Sequence, residues 1–156
     1  MASELRIDRA SLADAPVVAD FVARLLAELF DSTRDPVAMT KTARELLGAT
    51  DLFAAFIARL GREPVGVLTL ATCVSIYAGG RFGEIAELCV EPGHRSAGIG
   101  EALVGAAAVH GRAQGWSRLE VGAPPAECWP RTVAFYRRNG FSEIGPRLGL
   151  ALTPDA

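Results

Sequence analysis

The chain has 156 residues, of which 50% are hydrophobic and 22% are charged, and its formal net charge is −2. This length and composition predict one domain, residues 1–156, with a substantial apolar core. Acidic and basic residues are interspersed, so no block of like charge indicates a nucleic-acid partner or an anionic membrane surface.

The cysteines argue against a metal site and a disulfide framework. They are odd in number and far apart, at Cys73, Cys89 and Cys128, without a Cys-x-x-Cys pair. We therefore expect no bound metal and a reducing, cytoplasmic environment. No stretch reaches the roughly 20 apolar residues of a membrane helix, and the charged residues within positions 1–11 give no export signal.

Three elements are predicted in the N-terminal part. Alternating apolar and charged residues at 5–9 predict a short edge strand. Apolar residues at helical spacing after Asp14 predict a first helix. A second helix is predicted to begin after Asp35, at Pro36, and to end at Gly48, because proline fits the first position of a helix.

The middle of the chain is typical of strands. Residues 51–60 and 65–77 predict two antiparallel strands, joined by a hairpin at 61–64. Residues 82–92 predict a third strand that closes at Pro92, because proline cannot donate to a sheet ladder.

Four further elements are predicted after Pro92. They are a helix from Gly98 to near Gly115, a strand at 116–121, a helix at 130–138, and a last strand at 141–150. The order of all elements predicts an α/β (α+β) fold, with a mixed, mostly antiparallel sheet and helices on both faces.

The junction of residues 88–103, LCVEPGHRSAGIGEAL, combines a strand, a glycine loop and a helix. The first N–H groups of a helix lack internal partners and lie at the positive end of its dipole, so this junction suits an anion such as phosphate. The junction does not match a dinucleotide-binding fingerprint, because position 103, where the third glycine would stand, is leucine. It does not match a P-loop either, because Gly-Lys-Ser/Thr is absent. The alternative is that Gly98 and Gly100 only make a tight turn.

The spacing Arg95-x-x-Gly98-x-Gly100 resembles the acetyl-CoA signature of the GNAT superfamily of N-acetyltransferases, Arg/Gln-x-x-Gly-x-Gly/Ala. A second stretch, VAFYRRNGF at 133–141, resembles the family element that lies one strand and one helix downstream. Ala13-Asp14 resembles the start of the family's first helix, so the resemblance spans almost the whole chain.

The resemblance implies one GNAT domain in which the central strand splays from its neighbour and leaves a cleft for acetyl-CoA. Leu88, Cys89 and Val90 would line the pantetheine arm, and an amide near Cys89 or Val90 would stabilise the oxyanion. The pyrophosphate would bind the loop, near His94, at residues Arg95, Ser96, Ala97, Gly98, Ile99, Gly100 and Glu101.

Two residues are candidates for acid–base chemistry. Tyr136 matches the family's frequent general acid; its ordinary pKa of about 10 exceeds a thiol's value of about 8.5, so we expect it mainly to hydrogen-bond the departing thiolate. The alternative is a buried core aromatic.

Glu87 is the candidate base because an unpaired carboxylate on a central strand is costly to bury. Its alternative role is an ion pair with an arginine such as Arg59.

The resemblance implies acetyl-CoA as cosubstrate and transfer to a primary amine of a small molecule or peptide, with direct attack preferred to an acyl-cysteine route. A non-catalytic acetyl-CoA-binding sensor is the alternative, and a different acyl donor stays open. The acceptor is expected around residues 31–41, 77–82 and after 141. Glu28, Asp31 and Asp35 could attract a cationic amine, but Arg34 and Lys41 dilute this charge, and the favoured alternative is a solvated helix end. Homodimers are frequent in the family, although no segment identifies an interface.

Two positions depart from the family pattern. Ser96 stands where the family frequently has glycine. Trp129 stands where the family often has an asparagine, seven residues before the tyrosine, so the contact of that asparagine is not expected here.

Overall fold

The computed structural model describes residues 3–154, which form two compact units that divide after Val121. In the first unit the strands are β1 (Leu5–Arg9), β2 (Phe53–Leu60), β3 (Glu63–Ser75), β4 (Gly80–Val90) and β5 (Leu119–Val121). Its α-helices are α1 (Ala15–Phe30), α2 (Pro36–Gly48) and α3 (Ile99–Ala113). The described part of the second unit contains α4 (Pro130–Arg138).

The five strands form one sheet in the order β1-β2-β3-β4-β5. The first three pairings are antiparallel, and β4 pairs with β5 in parallel. A parallel pair needs a long crossover, which α3 supplies between these two strands. The predicted mixed, mostly antiparallel sheet is confirmed.

The sheet carries helices on both faces, as predicted. Successive side chains of a strand point to opposite faces. Ile57 and Val67 join the buried residues of α1 and α2 in one core. The neighbouring Phe56 points the other way and makes an edge contact with His110 of α3, at 5.6 Å between ring centroids.

The predicted helix starts are confirmed by their local chemistry. Asp35 precedes α2, and its carboxylate accepts a hydrogen bond of 3.1 Å from the Val37 N–H. Pro36 occupies the first turn, where its missing N–H costs no helical hydrogen bond. The first helix begins directly after Asp14, whose carboxylate accepts from the Ser11 N–H at 2.8 Å.

The predicted last strand at 141–150 is wrong. The structure describes no strand in these residues, and Leu148 and Leu150 are 91% and 86% exposed. Gly145 has a φ of 131°, outside the strand region, and Pro146 follows it without an N–H to donate.

The strand predicted at 116–121 begins only at Leu119. Trp116 instead closes the end of α3, where its N–H donates to the Gly111 carbonyl at 2.9 Å.

The pairing of β4 changes on both sides near Ala86. Thr69 of β3 lies opposite Glu87, whereas the next residue, Leu70, lies opposite Ile85, so Ala86 is the extra residue. On its other side β4 pairs with β5 only from Gly83 to Ile85. Within the described part of the first unit, residues 86–90 therefore have no strand neighbour on that side.

Candidate functional site

The open edge of β4 presents the backbone groups of alternate residues. The Glu91 N–H donates to the Val65 carbonyl of the neighbouring strand segment at 2.8 Å. Backbone direction alternates along an antiparallel pair, so Val90 and Leu88 direct their N–H and C=O groups away from β3. Cys89 directs its backbone toward β3 and buries its side chain in the core. Of the two amides predicted near the oxyanion, that of Val90 has the required direction.

The loop after β4 ends at a helix terminus with free donors. The first α-helical bond of α3 joins the Ala102 N–H to the Gly98 carbonyl at 3.0 Å, so the N–H groups of residues 99–101 lack partners within the helix. Gly98 has a φ of 81°, and an added Cβ would meet nothing within 4 Å, so its conformation rather than space requires glycine. Ser96 also adopts a positive φ, of 65°.

One buried atom beside this loop has no partner. The Nδ1 atom of His94 is buried, and no residue among 3–154 makes a hydrogen bond to it. His94 immediately precedes the predicted phosphate loop, and such an orphan polar atom fits a site built for a ligand.

Arg95 of the loop is held by α1. Its guanidinium donates two parallel hydrogen bonds to the Glu28 carboxylate, at 2.8 and 2.7 Å, and its Nε donates to the Val90 carbonyl at 3.1 Å. The bidentate bond lowers the pKa of Glu28. Glu28, a candidate to attract a cationic amine, is thus committed to Arg95, and the anion site depends mainly on backbone N–H groups.

Glu87 lies on the α1 and α2 face of the sheet beside Thr69. The Thr69 hydroxyl donates to the Glu87 carboxylate at 2.8 Å and accepts from the Glu87 N–H at 3.0 Å. Burial raises the pKa of Glu87, and the bond from Thr69 opposes that rise. Arg59 instead binds Asp8 and Asp14, and Glu87 makes no ion pair with any residue that the structure describes. The alternative pairing with Arg59 is therefore wrong.

Comparison with known proteins identifies the family. Residues 51–143 match the family model described as an acetyltransferase (GNAT) domain. The chain belongs to the GNAT acetyltransferase family.

Three solved structures are similar to this GNAT chain. An integron cassette protein from the mobile metagenome of Cole Harbour Salt Marsh is 27% identical with a TM-score of 0.82, covering 95% of this chain and 91% of its own. An aminoglycoside acetyltransferase from an uncultured soil metagenomic sample, in complex with sisomicin, is 24% identical with a TM-score of 0.73, covering 96% and 95%. An aminoglycoside N-acetyltransferase in complex with CoA is 19% identical with a TM-score of 0.75, covering 99% and 97%. The last two likenesses show the GNAT fold alone. No curated protein sequence matches the chain significantly.

The second unit contains the GNAT tyrosine candidate. Tyr136 is a buried residue of α4, between Phe135 and Phe141, with ring centroids 5.3 and 5.5 Å away. Burial raises the pKa of Tyr136 to about 12. The phenol therefore stays protonated throughout the neutral range.

A cavity of about 280 Å³ lies between α1, α2 and the sheet, entirely within the first unit. Glu87 and Thr69 form its polar wall, and Arg34 and Asp35 of the α1–α2 connection also line it. Both Arg34 and Asp35 belong to the segment 31–41 near which an acceptor is expected, and that expectation stays a prediction. The turn at 77–82 does not line the cavity.

Sequence reasoning missed two partners of the predicted site residues. Glu28 binds Arg95 across 67 positions, and no local pattern indicates such a pairing. Thr69 offered a signal, because it is a hydroxyl inside the apolar run VGVLTLA. It is fully buried in the structure, where its partner is the Glu87 carboxylate.

Cys73, Cys89 and Cys128 are free thiols. Across residues 3–154, no group of three or more His, Cys, Asp or Glu side chains could hold a metal ion. No helix in the same range has both the length and the apolar character to cross a membrane.

Proposed function

We propose that the protein transfers an acetyl group from acetyl-CoA to a primary amine of a small molecule or peptide, by direct attack of the amine on the thioester. The proposal rests on one observation: two sets of backbone N–H groups without partners follow each other closely along the chain. The open edge of β4 leads through one short loop to the unpaired N–H groups at the start of α3. An extended amide-containing arm that ends in phosphates matches this sequence of donors.

The residues present fit acetyl-CoA. The N–H groups of Leu88 and Val90 and the Leu88 carbonyl would pair with its pantetheine amides, since the Val90 carbonyl already accepts from Arg95. The N–H groups of residues 99–101 would bind its pyrophosphate. The buried Nδ1 of His94 supports a ligand beside the same loop. When bound, the cosubstrate supplies an activated acyl thioester.

Glu87 is the proposed base, because its carboxylate has a hydroxyl partner but no cationic one among the described residues. Its raised pKa makes it a better proton acceptor than an exposed glutamate. An alkylammonium has a pKa near that of lysine, about 10.4, so the amine gives up its proton through a bridging water or before it binds.

Tyr136 is proposed, from its match to the family element, to donate a hydrogen bond to the leaving sulfur. With its pKa at about 12 and a thiol at about 8.5, complete proton transfer would be uphill by roughly 5 kcal/mol. Tyr136 therefore stabilises the developing thiolate without fully protonating it.

A transfer assay that follows CoA release tests the proposal. We expect the protein to release CoA in the presence of amines. Tyr136→Phe should lower kcat by about tenfold or more while the Kd of acetyl-CoA stays the same, because the hydroxyl acts as charge develops on sulfur. Unchanged kcat would remove Tyr136 from the mechanism. Acetyl-CoA binding without transfer to any amine would favour the non-catalytic sensor.

A further inference from the structure

The cavity between α1 and α2 has one polar end and apolar walls. Glu87 and Thr69 lie in its sheet wall, whereas Val22, Met39, Leu46 and Phe53 supply aliphatic and aromatic surface from α1, α2 and β2. Such a lining, with few polar groups among apolar ones, is typical of a small-molecule pocket.

Among the described residues, Glu87 is the one charged side chain of the cavity lining that is not exposed. The charged side chains that line the cavity, among the described residues, are Glu87, Arg34 and Asp35. Arg34 and Asp35 are both exposed, so solvent and salt screen their charges, and Asp35 also caps α2 through the Val37 N–H. Two further acids near this side do not line the cavity: Glu28 is bound to Arg95, and Asp31 is exposed directly after α1. The cavity therefore offers charge complementarity to one ammonium group and not to a polycation.

The cavity is partly open to solvent, so its volume sets the size of the part of the occupant that it encloses. The cavity holds about 280 Å³, which is roughly twice the ~150 Å³ that holds a benzene molecule in an apolar protein cavity. One ring with a short chain, or an alkyl chain of similar volume, fills it.

We propose that the acceptor is a compact monoamine whose apolar body occupies this cavity and whose amino group lies at Glu87. This assignment rests on the proposed function and names its substrate class. It separates this chain from enzymes that acetylate polycationic, strongly hydrophilic amines. Binding follows from burial of apolar surface together with one charge-assisted contact at the carboxylate.

The experiment compares kcat/KM for the n-alkylamines from propylamine to hexylamine, phenethylamine and spermidine. Each added methylene should raise kcat/KM by about two- to fourfold until the cavity is filled, as burial of one CH₂ predicts. Phenethylamine should match hexylamine within about threefold, and spermidine should fall at least about tenfold below hexylamine. Equal values along the alkyl series, or preference for spermidine, would overturn the assignment.

Two alanine variants provide a matched test. Ala38 lines the cavity at an exposed position, so Ala38→Phe places a ring at its opening and should abolish the dependence on chain length, with the Kd of acetyl-CoA unchanged. Ala27→Phe introduces the same ring at an exposed position of α1 that does not line the cavity, and should retain the dependence. The same chain-length dependence in both variants would contradict the proposal.

Failure of the proposed function gives a different result. If the protein neither binds acetyl-CoA nor acetylates any amine, the proposed function fails. Calorimetric titration with hexylamine, on the wild type and on Ala38→Phe, then tests the cavity alone. Binding by the wild type that Ala38→Phe loses supports an apolar-amine site, whereas no binding by the wild type overturns it.

Discussion

The proposed catalytic role of Glu87 comes with a cost in stability. Its carboxylate is half-buried, takes one hydrogen bond from Thr69, and has no ion-pair partner among residues 3–154. Burial of a carboxylate with one donor disfavours its charged form. A residue retained at such a cost is more easily explained by chemistry than by packing.

The pH dependence of stability tests this environment. Burial raises the pKa of Glu87 above its ordinary value of 4.5, so the folded chain keeps this proton to higher pH than the unfolded chain. The resulting stability is complete below the unfolded pKa and is lost as pH rises through the folded pKa. We expect Glu87→Gln to melt at a higher temperature than the wild type at pH 8, and to lose this advantage near pH 4. Exposed Glu63→Gln is the control; the same pH pattern there would contradict the account.

Glu87→Gln should lower the activity of the protein, although it raises the melting temperature at pH 8. As the proposed base, Glu87 must be ionised, so kcat/KM should fall toward low pH with an apparent pKa above the ordinary carboxyl range. Glu87→Gln should lower kcat/KM by about 10²- to 10⁴-fold and remove that acidic limb. The rate of CoA release from pH 5 to 9 measures both effects, and a limb that persists in the variant would assign it to another group.

For individual residues, the sequence identifies candidate site residues but not their hydrogen-bond partners. Glu87 stands out because it is charged within an apolar strand. Its bond to Thr69 depends on the register of β3 and β4 and on the bulge at Ala86, which no local pattern specifies. The pairing of Arg95 with Glu28 likewise requires the packed position of α1.

Among the elements, the loop between β4 and α3 depends on backbone conformation. Gly98 has a φ of 81°, whereas Gly93 of the same loop does not have a positive φ, and an added Cβ would meet nothing within 4 Å at either position. Gly98→Ala should therefore reduce the free energy of unfolding by about 1–2 kcal/mol. Gly93→Ala should be neutral or stabilising by up to about 1 kcal/mol. Urea unfolding measures both, and equal effects would show that the left-handed conformation is not the cause.

The contact between β4 and the end of α3 depends on the absence of a side chain. A Cβ on Gly83 would lie 2.8 Å from Leu119 and closer still to the ring of Trp116. We expect Gly83→Ala to destabilise the protein by about 1–3 kcal/mol through overpacking. Gly105→Ala, on α3 with nothing within 4 Å, should stabilise it by about 0.5–1 kcal/mol. Thermal unfolding distinguishes the two signs, and stabilisation by Gly83→Ala would contradict this packing.

Element boundaries follow from the sequence where a residue has a strong local preference. Asp35, Pro36 and Gly98 gave the starts of α2 and α3 for this reason. The last strand failed because its apolar residues are interrupted by Gly145 and Pro146, and the pattern cannot tell an exposed apolar side chain from a paired one.

For the whole molecule, the fold could be predicted from the sequence because two motifs, at 95–100 and 133–141, have the order and spacing that one family shows. The sheet order and the parallel pairing of β5 with β4 come from the structure, since element order alone permits several arrangements. The same topology explains the open edge. Because β5 pairs with β4 only from Gly83 to Ile85, residues 86–90 have no strand neighbour on that side within the described part of the first unit.

Cosubstrate binding should stabilise the whole chain by mass action. At an acetyl-CoA concentration of 100 times Kd, the free energy of unfolding should rise by about 2.7 kcal/mol. Gly100→Glu should lose this effect, because its side chain fills and charges the start of α3 where the free N–H groups lie. A thermal-shift titration of both proteins measures it. An undiminished shift in the variant would exclude the loop as the phosphate site.

The most direct test of the central claim is calorimetric titration of the wild-type protein with acetyl-CoA, CoA and NAD. If the open edge of β4 and the start of α3 bind the pantetheine arm and the pyrophosphate, both CoA species should bind at micromolar concentration and NAD should not. Absence of binding by both CoA species would contradict the account and, with it, the roles assigned to Glu87 and Tyr136.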